Sequence, residues 1–185
     1  KGFTYRYFDT AQQAADYLVG SIQGKTVGIG GSMTIKGMGL YDRLKENNQV
    51  AWHWEVPGPE TLAQAAAAQV YLSSVNGIAE TGEIINIDAT GNRVAAITYG
   101  PESIYLVAGE NKIAPDYESA LWRARNIASP KNAQRLGVNT PCAVNADKCY
   151  DCKSPERICR GLTVLWGPMM AGKTEILLID EDLGM

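Results

Sequence analysis

Apolar residues along the chain alternate between helical and strand spacing. Between Ala11 and Ile22, Ala14, Ala15, Leu18 and Ile22 share one helical face, and Asp9 or Thr10 stands where an N-cap is needed. Gly24 and Lys25 end that helix. The run TVGIG at Thr26–Gly30 is short and apolar, as a buried strand is. A helix is predicted through Ile35–Asn47, a strand at VAWHW (Val50–Trp54), a turn at PGPE with Pro59 at a helix start, a helix through TLAQAAAA and a strand at VYLSS.

The alternation continues beyond Ser74. EIINID (Glu83–Asp88) reads as a strand and ATGN as a turn. RVAAITYG fits either period. Helix is the consistent reading, because SIYLVAG (Ser103–Gly109) then supplies the next parallel strand. DYESALWRARNIA is a helix whose apolar stripe is Tyr117, Ala120, Leu121, Ala124, Ile127 and Ala128. Pro130 disfavours helical geometry at Ser129 and is expected to end or kink it. LTVLW and TEILLID read as two strands of a closing β-hairpin joined by Gly167–Lys173. Strands alternating with helices predict an α/β fold, a mainly parallel sheet flanked by helices. Without repeats or a linker, residues 1–185 read as a single domain, with an irregular Cys-rich insertion at residues 139–160.

Composition narrows the function. With 45% hydrophobic and 20% charged residues, the chain is ordinary globular protein, long enough for a core. The net charge of −3 and the lack of a basic block argue against a nucleic-acid partner. No apolar run spans a bilayer. The start at Lys1 without a methionine points to a processed or truncated N-terminus. All four cysteines fall in one segment, unlike the framework of a secreted protein, so a reducing cytoplasm is the expected compartment.

GPMMAGKT, Gly167–Thr174, matches the phosphate-loop pattern letter for letter. That pattern needs a helix leaving from its Lys-Thr end and a further strand. After Thr174 the chain continues as EILLIDEDLGM, β-branched and then acidic, too short for both. A nucleotide-binding enzyme is therefore the remote alternative, and a glycine-bearing loop between strands the expected one.

Ligands of open parallel sheets bind at the carboxyl ends of strands. Four loops here sit in that position. GIGGSMT carries Gly30, Gly31, Ser32 and Thr34, offering backbone approach and hydroxyl donors to an anion. SSVNGIAETG carries Ser74, Asn76 and Glu80. IDATGNR carries Asp88, Thr90, Gly91, Asn92 and Arg93, and GENK carries Asn111 and Lys112. Arg93 and Lys112 suit a carboxylate or phosphate. Glu80 is a candidate general base or nucleophile and Lys112 a second catalytic candidate. His53, the only histidine, lies between tryptophans in an expected strand and reads as structural, which disfavours Ser-His-Asp chemistry.

Cys142, Cys149, Cys152 and Cys159 are spaced C-x6-C-x2-C-x6-C. Four thiolates so close in sequence can enclose zinc or a 4Fe-4S cluster. A redox dithiol at Cys149 and Cys152, inert packing and an adventitious disulfide stay open as alternatives.

The runs GIGGSMTIKGMGLYDRL, SSVNGIAETGEIINIDATGNRVAAITYGPESIYLVAGENKI, RARNIASPKNAQRL and TPC…CYDC resemble the LUD-domain (LutC/YkgG-like) proteins associated with lactate utilisation, over nearly the whole chain from Gly28 to Gly184. The resemblance implies a NagB/RpiA/CoA-transferase-like fold that binds a small organic anion or an anionic cofactor. The matching positions are Gly30, Gly31, Ser32, Thr34, Ser74, Asn76, Asp88, Thr90, Gly91, Asn92, Arg93, Asn111 and Lys112. It also implies cytoplasmic work beside iron–sulfur and flavin oxidoreductase subunits that oxidise lactate to pyruvate. The chain would be an accessory or catalytic part of that electron-transfer system, compatible with a homo-oligomer. An electron-transfer or assembly module carrying a metal or Fe–S cluster on the cysteines is the alternative.

Overall fold

The computed structural model describes residues 1–185. β1 (Thr4–Phe8) leads into α1 (Ala11–Ser21), which Thr10 caps in a reciprocal box with Gln13. Then come β2 (Thr26–Ile29), α2 (Met33–Gly37), α3 (Leu40–Lys45), β3 (Gln49–Trp52), α4 (Pro59–Ala66) and β4 (Val70–Ser74). β5 (Gly77–Ala79), β6 (Ile84–Asp88), α5 (Asn92–Thr98) and β7 (Ser103–Gly109) come next. A 3-10 turn at Glu110–Lys112 precedes β8 (Ile113–Ala114) and α6 (Tyr117–Arg123). A π-helical turn at Ala124–Ala128 joins α6 to α7 (Ser129–Leu136). α8 (Pro141–Asn145), β9 (Gly161–Leu165) and β10 (Lys173–Ile179) complete the chain.

Six strands form one sheet in the order β1-β10-β7-β4-β2-β3, every neighbouring pair parallel. Helices cover both faces, so its inner strands are buried on both sides and read as continuous apolar runs. Successive residues serve opposite faces. Leu72, Val107 and Leu177 join one core with Leu18, Leu40 and Leu44, while Tyr71, Leu106 and Ile176 join another with Ile97. A smaller sheet, β8-β5-β6-β9, is mostly antiparallel and packs an alanine-rich core against α6.

The α/β architecture is as the hydrophobic pattern predicts, with four local corrections. The closing strands do not form a hairpin. β9 pairs antiparallel with β6 in the small sheet, whereas β10 lies between β1 and β7 in the main one. Each completes a different layer, which no local pattern records. The helix expected over residues 35–47 is two helices, because Gly39 adopts left-handed geometry at φ 62° and restarts the spiral. Pro130 does not end its helix. The preceding π turn shifts the backbone register, and both the N–H and the hydroxyl of Ser129 donate to the Ala124 carbonyl. β3 stops at Trp52, which releases His53 and Trp54 into the turn beyond it. No helix is long and apolar enough to cross a membrane.

Candidate anion-binding cleft

A cavity of about 200 Å³ opens where β2, β3, β4 and β7 end, against the β6–α5 connection. Most of its polar groups sit on loops or first helical turns that follow strands, and α7 adds Ser129, Asn132 and Arg135. Ser32 caps α2, accepting from the Ile35 N–H at 3.1 Å and donating to the Ser74 hydroxyl at 2.8 Å. That contact joins the ends of two adjacent strands, β2 and β4.

Arg93, in the first turn of α5, is buried beneath the cleft. One terminal nitrogen donates to Ser74 O at 3.1 Å and to Asn86 Oδ1. The other donates to Asn76 Oδ1 at 3.0 Å and Ile87 O at 2.7 Å. These four bonds use every terminal N–H. Arg93 therefore contributes charge to the cleft but no free terminal donor. The Asp88 carboxylate, 3.8 Å from its Nε, offsets the burial that pushes the guanidinium pKa down.

Lys112 is 2% exposed, and its Nζ donates to Thr34 Oγ1 at 2.8 Å. No carboxylate stands against it. Burial, then the charges of Arg123 and Arg93, push its pKa down to about 7. Arg123 reaches under the same floor, donating to Asn111 O at 2.6 Å and Asn76 O at 2.7 Å. Residues after β10 fold across this floor. Glu110 N–H donates to Glu181 O, Leu183 N–H to Asn111 Oδ1, and Thr34 Oγ1 to Leu183 O. Met185 reaches the cavity wall.

The opposite wall is aromatic. Trp54 stacks on Trp52 at 5.7 Å, and the Arg135 guanidinium lies 4.9 Å from the Trp54 ring centroid. His53 also lines the cleft. Burial lowers its pKa, and its Nδ1 has no partner.

Of the residues singled out in the sequence, Gly31, Ser32, Thr34, Ser74, Asn76, Asp88, Thr90, Asn92, Arg93 and Lys112 line one cavity. Gly30, Gly91 and Asn111 support its loops without lining it. Glu80 lies elsewhere. It comes directly after β5, is exposed, and pairs its N–H with Ala114 O in the small sheet. Trp54 and Arg135 escaped the sequence reading, as did Arg123 on α6. Trp54 was hidden by an overlong strand, whereas Arg123 sits within a helix whose apolar stripe gives no sign of a buried cation.

The four cysteines are free and half-buried. Cys159 Sγ accepts from Arg157, Cys149 lies 3.7 Å from Arg125, and Cys142 pairs with the Thr140 hydroxyl. No group of three or more His, Cys, Asp or Glu side chains is gathered to hold a metal ion. Their segment backs the cleft wall, through Cys149 N–H on Asn126 and Ile158 at the cavity. Lys173 opens a strand, and no helix leaves it to cradle a phosphate.

A parallel α/β sheet whose strand ends enclose a small cationic cleft is the class these observations define. The chain belongs to the LUD-domain family, whose model matches residues 1–179. That membership supports a role related to lactate utilisation in general. The fold is shared with a DUF162 family protein of Deinococcus radiodurans, at TM-score 0.55 and 14% identity, over 96% of this chain and 88% of that one. No curated protein matches the sequence.

Proposed function

We propose that the cleft binds a small organic anion, or the anionic end of a cofactor, and that the protein acts as an accessory or catalytic part of a lactate-utilising electron-transfer system. The observation that carries this reading is the charge at the floor. Lys112 is buried with no carboxylate against it, between Arg93, whose charge Asp88 offsets, and Arg123, whose charge Asp182 offsets. A buried cation without a counter-charge is costly, and a bound anion supplies what is missing. The volume, about 200 Å³, lies below the usual range for drug-sized ligands and suits a short carboxylic acid. Lys112, the Ser74 hydroxyl, Thr90, Asn92 and Asn132 provide donors that protein acceptors do not exhaust.

Calorimetric titration with lactate, pyruvate and inorganic phosphate tests the proposal. Binding of a short carboxylate should weaken at least about tenfold in Lys112→Met, the loss of one charge-assisted hydrogen bond, and stay unchanged in Glu80→Gln. No binding of any of the three would refute it. The alternative is an electron carrier built on the four cysteines, and the C-x6-C-x2-C-x6-C spacing is what supports it. Stoichiometric iron and sulfide in anaerobically purified protein would favour that alternative.

A further inference from the structure

We propose that the Lys112 amine captures the carbonyl of a short oxo acid in this cleft as a reversible imine. The proposal rests on the cleft being an anion site and names a substrate class for it. Lysines that serve as nucleophiles are desolvated or set beside other cations, because both conditions favour the neutral amine. Lys112 meets both. It is buried at the cavity wall, its hydrogen-bond partner is the Thr34 hydroxyl, and its charged neighbours are Arg123 and Arg93. A lysine serving only as an anchor would ordinarily keep a carboxylate or carbonyl partner to hold its proton. Once the amine is neutral, Arg93 and Arg123 keep their charges, offset by Asp88 and Asp182, and the open donors of Ser74, Thr90, Asn92 and Asn132 still face the cavity, so the carbonyl compound that fits also carries a carboxylate. A hydroxy acid offers no electrophilic carbon and would bind without reacting.

The step balances without a further reactant. The Nζ lone pair adds to the carbonyl carbon, and the carbonyl oxygen takes a proton to give a carbinolamine. Loss of that oxygen as water leaves the C=N bond to Lys112. Thr34 Oγ1, 2.8 Å from Nζ, is placed to relay the proton.

The full chain is incubated near neutral pH with pyruvate and sodium cyanoborohydride, and the reduced adduct is located by peptide mass mapping. One adduct is expected, on Lys112, forming about tenfold or more faster than on any exposed lysine, since far more of the amine is unprotonated at that pH. Lactate should give none, and acetone, which lacks the carboxylate, little. Lys112→Met should abolish that adduct while the slow background labelling of exposed lysines stays as it is in the wild-type protein. Labelling spread evenly over exposed lysines overturns the proposal. So does pyruvate binding, seen by calorimetry, without an adduct; that result leaves the anion site standing. Failure of both pyruvate and lactate to bind removes the site reading together with the imine.

Discussion

Lys112 Nζ donates to Thr34 Oγ1 across 78 residues of chain, and Thr34 passes its own hydrogen to Leu183 O at 3.3 Å. The first bond ties the end of β7 to the end of β2, and the second ties both to the segment after β10. Three strand ends thus converge on one ammonium. The connection explains why Lys112, an ordinary Asn-Lys dipeptide in the sequence, is among the least exposed charged groups of the molecule.

That burial has a stability cost that depends on pH. The Lys112 pKa is about 7 in the folded protein and near the ordinary lysine value when unfolded. Between those values the unfolded chain binds the extra proton, so stability rises with pH across the window. Below it both states are charged and the folded state carries the full penalty. Lys112→Met is therefore expected to raise the unfolding free energy by about 1–3 kcal/mol at pH 6, shrinking toward zero near pH 10. Urea unfolding of both proteins across that range checks it. A gain that is the same at every pH would mean that packing, not charge, is responsible.

Arg93 calls for the opposite outcome. Its guanidinium satisfies two backbone carbonyls and two side-chain amides at once, and lysine cannot reproduce that fork. Arg93→Lys should destabilise the fold by about 3 kcal/mol, because buried acceptors are left unpaired. A change within error in the urea midpoint would show the clamp to be dispensable.

Much of this architecture was legible from spacing. Apart from β1, the strands of the main sheet coincide with apolar runs, and the loops after them supplied most of the cleft. β1 was not legible, since TYRYF is an exposed edge strand without an apolar face, its Tyr5 and Tyr7 both turned to water. Nor were β5 and β8, at three and two residues too short to carry a period. The cleft's aromatic wall needed tertiary knowledge: Arg135 reaches Trp54 only because α7 continues past Pro130. The letters GPMMAGKT misled for the converse reason. Their chemistry resides in a helix that Lys173, at the start of β10, does not begin.

That last point is measurable. Neither the wild-type protein nor Lys173→Ala should bind ATP or GTP by calorimetry at millimolar nucleotide. Affinity present in the first and absent in the second would restore the phosphate-loop reading.

Two glycines near the cleft separate rigid from yielding neighbours. A Cβ on Gly28 would overlap the Ala65 carbonyl oxygen, part of the α4 backbone. One on Gly31 would meet the half-buried Trp54 indole at 3.1 Å, and an indole can shift by tenths of an ångström. Gly28→Ala should cost about 3 kcal/mol and Gly31→Ala about 1 kcal/mol, the latter with a change in tryptophan fluorescence and weakened carboxylate binding. Equal costs would imply that α4 yields as easily as a side chain.

The segment after β10 determines how well the amine is shielded. Gly184 adopts φ 70°, and a Cβ there would stand 2.7 Å from Thr34 Oγ1 and 3.4 Å from Lys112 Nζ. Gly184→Val is both strained and obstructed, so residues 181–185 should lift from the floor at a cost of about 1–2 kcal/mol. Water then reaches Lys112, desolvation relaxes, and its pKa climbs from about 7 toward the ordinary lysine value. Two measurements track this change. Amide exchange at Leu183, whose N–H is held by Asn111, should accelerate. The pH midpoint for acylation of Lys112 should move upward even though the group is more accessible. If Leu183 exchanges faster while that midpoint stays near 7, the cations Arg93 and Arg123, not the covering segment, set the state of the amine.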